Sequence, residues 1–149
     1  SLRRQRQMCI RDSHWLLTQY LSVIAIRSRT EDASALLKLS EHYGATWSAA
    51  FEMTRWKRNL FIGKDKVYVL ATLAELTLLQ SVYHKDTTQP EELKKQISDY
   101  CKAMLDESLT DKFPLWSTKR QFSRYLLEWQ SPIWQDLAQT AVDALTEEP

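Results

Sequence analysis

KVYVLATLAELTLLQSV, residues 66–82, is the stretch from which the rest of the chain is read. Leu70, Leu73, Ala74, Thr77 and Leu78 recur at steps of three and four, and Leu76 and Leu79 widen the face until it is apolar nearly all round. A helix of that kind is enclosed by other elements. Asp65 stands where it can cap the start. Thr72, Glu75 and Thr77 interrupt the run, so it is no membrane span.

Outward from this centre the same period repeats, and the expectation is an all-α chain of six or seven antiparallel helices. Toward the N-terminus, Asp12 or Ser13 can cap a helix in which Trp15, Leu16, Tyr20, Val23, Ile24 and Ile26 form the apolar face. A second helix over about 32–43 carries Leu36, Leu37, Leu39 and Tyr43 inward and is expected to stop at Gly44. Thr46 can cap a third, with Trp47, Ala50, Phe51 and Thr54. Beyond the centre, HKDTTQ reads as a solvated loop and Pro90 as the first residue of a fifth helix. Its stripe is Leu93, Ile97, Tyr100 and Met104. Ser117 or Thr118 can cap a sixth helix with Phe122, Leu126 and Trp129 inward. Ser131-Pro132 opens the last, on Ile133, Leu137, Ala141 and Leu145, and TEEP ends the chain. Short connections favour antiparallel neighbours, and helical starts near 32, 66 and 118 allow a degenerate repeat.

Composition excludes several activities. Two Gly among 149 residues compare with a usual share of about 7%. Gly44 and Gly63 stand alone, so the clustered glycines that let backbone approach a phosphate in nucleotide-binding loops are missing. A chain of this length buries roughly 70% of its unfolded surface and needs neither metal nor disulfide to fold. Cys9 and Cys101 make no framework, and a reducing, cytoplasmic compartment is expected. His14, His42 and His84 are too scattered for a metal site, and no cofactor is expected.

Charge is uneven. SLRRQRQMCIRDS, residues 1–13, holds four Arg against Asp12, a local +3, which leaves sixteen basic and eighteen acidic side chains, or −2, over 14–149. A basic arm for an anionic partner is one reading. The other is that RQMCIRDS resembles a translated sequencing-adapter artefact, in which case 1–13 is disordered or foreign. A single all-helical domain over 14–146, a fragment of a larger protein, then remains.

Residues 66–106 resemble one tetratricopeptide unit with a stretched turn. Leu73 and Ala74 take the large and small places of its first helix, and Tyr100 and Ala103 the aromatic and small places of its second. Leu70, Thr77 and Gln96 depart from the pattern, and the turn is too long. VLATLAELTLL and FPLWSTKRQFSRYL further resemble segments of bacterial helical-repeat proteins related to the TRAF-binding region of apoptosis-signalling MAP kinase kinase kinases. The two likenesses span about half of the chain, and the matching residues are core residues. They imply a helical-hairpin repeat and a non-catalytic scaffold that holds a protein or peptide on a concave face, with no membrane role.

The candidate contact residues follow. Trp116, Trp129 and Trp134 are dense; Trp129 reads as core, and Trp134, one place off the Ile133 stripe, as an exposed contact beside Trp116 and Tyr68. Glu75 would act as a general acid if buried, its affinity for protons raised. The alternative is that it occupies a solvent edge or pairs with Arg55 or Lys57, which is favoured because no second carboxylate or His stands three or four places on. Cys101 faces the core as a small hydrophobe. Arg55, Lys57 and Arg58 around Trp56, with Lys119, Arg120 and Arg124 around Phe122, offer a second kind of partner, a nucleic acid held by phosphate contacts and stacking.

Overall fold

The computed structural model describes the backbone of residues 2–85 and 89–146 and the side chains of 13–85 and 89–146. The side chains of the basic segment's arginines, of Cys9 and of Asp12 as a cap, together with the middle of HKDTTQ and the last three residues, lie outside the described residues.

Six helices and no strand occur among the described residues: α1 (Leu2–Ser28), α2 (Ala33–Arg58), α3 (Gly63–Tyr83), α4 (Pro90–Glu107), α5 (Phe113–Glu128) and α6 (Pro132–Thr146). The central stretch is indeed central, since α3 packs against all five others. Leu70, Leu73, Ala74, Leu76, Leu78 and Leu79 have at most a trace of exposure, which is why so few positions of α3 tolerate polarity. Further packing pairs are α2 with α1, and α6 with α4 and α5.

Boundaries differ from the sequence reading in several places. Gly44 does not stop a helix: α2 runs unbroken from Ala33, capped by Asp32 Oδ2, which accepts from the Ala35 N–H at 3.1 Å. Thr46 therefore caps nothing. The His84 ring lies on α2 with its Nε2 3.1 Å from the Gly44 carbonyl, and a Cβ at position 44 would stand 3.4 Å from that ring, an ordinary contact, so neither termination nor close approach demands glycine there. The other glycine does make a turn. Gly63 opens α3, ahead of Asp65, at φ +62°, and its N–H donates to Glu107 Oε1 at 2.7 Å, tying the α2–α3 connection to the end of α4. Residues 12 and 13 lie inside α1, not at its start, and α5 begins at Phe113, ahead of Ser117 and Thr118.

The largest revision concerns which way α1 faces. Its inward side carries His14, Thr18, Leu21, Ser22 and Ala25, while Leu16, Tyr20 and Val23 are 58%, 54% and 52% exposed. Trp15, also expected inward, is half exposed. Inward polarity is tolerated because each group is bonded: Thr18 Oγ1 donates to the His14 carbonyl at 2.7 Å, and Ser22 Oγ to the Tyr125 hydroxyl at 3.0 Å.

Candidate functional site

Where α1, α3 and α5 meet, a cleft of about 300 Å³ opens to solvent. Helical spacing explains who lines it. Tyr68 and Glu75 stand seven apart on α3, Ser117, Arg120 and Arg124 share one side of α5, and Gln19 comes from α1 one turn beyond Trp15.

Glu75 forms the floor. It is 6% exposed, and its Oε2 accepts from the Tyr125 hydroxyl at 2.7 Å and from Gln19 Nε2 at 3.1 Å. Burial pushes its carboxyl up to about 7, against the smaller opposing pull of those two hydrogen bonds. Neither a solvent edge nor a pair with Arg55 or Lys57 is seen, so the preferred sequence reading of Glu75 is overturned. The compensation came instead from a phenol fifty residues away. Tyr125 is held well above the ordinary phenol range, first by burial and then by the adjacent carboxylate, so it stays a donor.

The six basic candidates part company. Arg55 pairs with Glu52 at 3.3 Å, and Arg58 lies over the Tyr100 ring at 5.6 Å. Lys57 is 3% exposed, its Nζ donating to His14 Nδ1 at 3.0 Å, which removes it from any surface a strand could touch. The Lys57 charge adds to burial in holding His14 down at about 4. Arg120 and Arg124 line the cleft; Lys119, one place round the helix, does not.

Of the aromatic candidates, Tyr68 lines the cleft and is partly exposed, and Trp116 is 68% exposed. Trp134 is corrected: it is 1% exposed, its indole Nε1 donates to the Tyr125 carbonyl at 2.7 Å, and it packs on Trp129 and Tyr125. One signal for this was present, since Trp134, Leu137, Ala138 and Ala141 are themselves helically spaced, but the two alanines carry little weight in a hydropathy stripe. Cys101 is buried as expected, and burial pushes its thiol up to about 12.

Among the described residues no three His, Cys, Asp or Glu side chains converge as a metal centre requires. No described helix is long and apolar enough to cross a membrane. No protein family, curated protein or solved structure matches the chain.

Proposed function

We propose that this chain is a non-catalytic interaction module that takes a helix of a partner protein against the outer face of α1. One observation carries the reading: α1 turns His14, Thr18 and Ser22 inward and leaves Leu16, Tyr20 and Val23 outside. Their spacing of four and three makes a continuous apolar row, the pattern by which amphipathic helices anchor in each other's grooves. Complete burial of a large apolar side chain is worth about 1.5–3 kcal/mol, and each of these three, being about half exposed, still forgoes about half of that. A partner helix recovers that burial. The same reading takes α3 and α4, which pack together, as an antiparallel hairpin of the tetratricopeptide kind. The nucleic-acid alternative is weaker, because Lys57 is internal and Arg55 and Arg58 already have partners.

The test pans a displayed library of amphipathic helical peptides against the chain and against the triple variant Leu16→Glu, Tyr20→Glu, Val23→Glu. Enrichment by the parent alone supports the reading. Equal recovery by both proteins, or no enrichment, overturns it. Sedimentation of the unliganded chain separates a second copy from a foreign partner: a dimer that the triple variant abolishes replaces the partner helix with α1 of another copy.

A further inference from the structure

The cleft between α1, α3 and α5 is distinct from the outer face of α1, and it has a charge layout of its own. One carboxyl, that of Glu75, lies at its floor, and two guanidinium groups, those of Arg120 and Arg124, stand one turn apart on its α5 wall. Neither arginine is paired with an acidic group among the described residues. Nor does either contribute to the proton affinity of Glu75, which burial and the hydrogen bonds from Tyr125 and Gln19 govern. One acidic and two basic groups therefore line the same cleft without pairing with one another.

We propose that this cleft binds a small amino-carboxylate, an α-amino acid, with its carboxylate between Arg120 and Arg124 and its ammonium group on Glu75. Three features fit that class. Both protein hydrogen bonds to Glu75 end on Oε2, so Oε1 is the atom that meets the ligand's N–H donors. Two guanidiniums at a spacing of one helical turn can grip one carboxylate with parallel N–H bonds, which a single lysine cannot do. Trp15 and Tyr68 border the space with aromatic surface, which suits the ligand's aliphatic portion. The volume, about 300 Å³, lies at the small end of ligand sites, where an amino acid fits and a peptide does not. A simple anion would use only the arginine wall and leave Glu75 to repel it. A simple amine would meet two positive charges on the way in.

Calorimetric titration of the whole chain with L-glutamate, L-glutamine and L-leucine tests this, alongside glutarate and n-butylamine, which each lack one of the two groups. The expected result is that at least one amino acid binds with a Kd below about 1 mM and both truncated probes bind at least about tenfold more weakly. Glu75→Gln, isosteric and still able to accept from Tyr125, and the exposed pair Arg120→Gln, Arg124→Gln should each weaken amino-acid binding by about tenfold or more. Circular dichroism checks that both variants remain helical, and the surface arginine pair keeps the test intact if Glu75→Gln loses structure. No binding of any amino acid up to about 10 mM overturns the proposal. So does glutarate binding as tightly as L-glutamate and undiminished by Glu75→Gln, which marks an anion site only.

Discussion

The Tyr125 hydroxyl sits 2.7 Å from Glu75 Oε2 and receives a hydrogen bond from Ser22 Oγ at 3.0 Å, so one phenol joins α1, α3 and α5 inside the core. Tyr125→Phe keeps the ring in its contacts with Phe122 and Trp134 and removes only this junction. Leaving a buried carboxyl short of a donor costs about 1–3 kcal/mol. The loss should be larger at pH 8 than at pH 5, because the bond to an ionised carboxylate is the stronger one. Urea denaturation of both proteins at the two pH values measures it; an equal loss at both would mean that Glu75 does not change its charge in the folded chain.

Two buried groups oppose each other in their effect on stability. Glu75 is raised from 4.5 to about 7, so the unfolded chain gives up this proton first and stability falls as pH rises between those values. That loss is about 3 kcal/mol when complete. His14 is lowered from 6.5 to about 4, so the unfolded chain takes up this proton first and stability falls as pH drops through that window. Over the shared interval, pH 4.5–6.5, the slopes have opposite sign. Denaturation across pH 4.5–6.5 should show little net contribution from the pair in the parent. Glu75→Gln should leave a rising slope and His14→Gln a falling one. If neither substitution changes the slope, the groups do not titrate as their burial requires.

How far the fold was legible follows from the same residues. The helical period of residues 66–82 and its place at the centre were readable because apolar residues there occupy almost every side. α1 was misread because hydropathy ranks Leu16 and Val23 above His14, Thr18 and Ser22, while the hydrogen bonds that admit the polar three come from their own helix, α2 and α5. The continuity of α2 through Gly44 was hidden because glycine is favoured just past helix ends, whereas this one sits mid-helix, where a Cβ would meet only ordinary contacts. For the site, the singular position of Glu75 and the basic cluster Lys119, Arg120 and Arg124 were visible in the sequence. Their convergence was not, since it depends on how α5 is rotated against α3.

Trp134 and Trp116 exchange the importance that sequence density assigned them. Trp134→Ala should cost about 3–5 kcal/mol, because it opens a cavity beside Tyr125 and Trp129 and removes the indole donor from the Tyr125 carbonyl. Trp116→Ala, at a side chain 68% exposed, should change stability by no more than about 0.5 kcal/mol. Chemical denaturation followed by circular dichroism distinguishes them, and a comparable cost at both positions would contradict the burial assigned to Trp134.

Arg29, just past the end of α1, has φ +38°, the one non-glycine residue with positive φ among those described. Its N–H closes the helix on the Ala25 carbonyl at 3.0 Å, the position at which glycine is favoured because a Cβ crowds the neighbouring carbonyl. Its guanidinium meets Glu128 at 3.0 Å, but both side chains are about half exposed and such a pair contributes about 0–1 kcal/mol. Substitution separates backbone from charge. Arg29→Ala loses the ion pair and keeps the crowding, whereas Arg29→Gly loses both. The glycine variant should therefore be more stable than the alanine variant by about 1 kcal/mol, the reverse of their order inside a helix. Glu128→Gln, which removes only the charge, should resemble Arg29→Ala. Were alanine as stable as glycine at this position in urea denaturation, the left-handed end of α1 would not be what closes the helix.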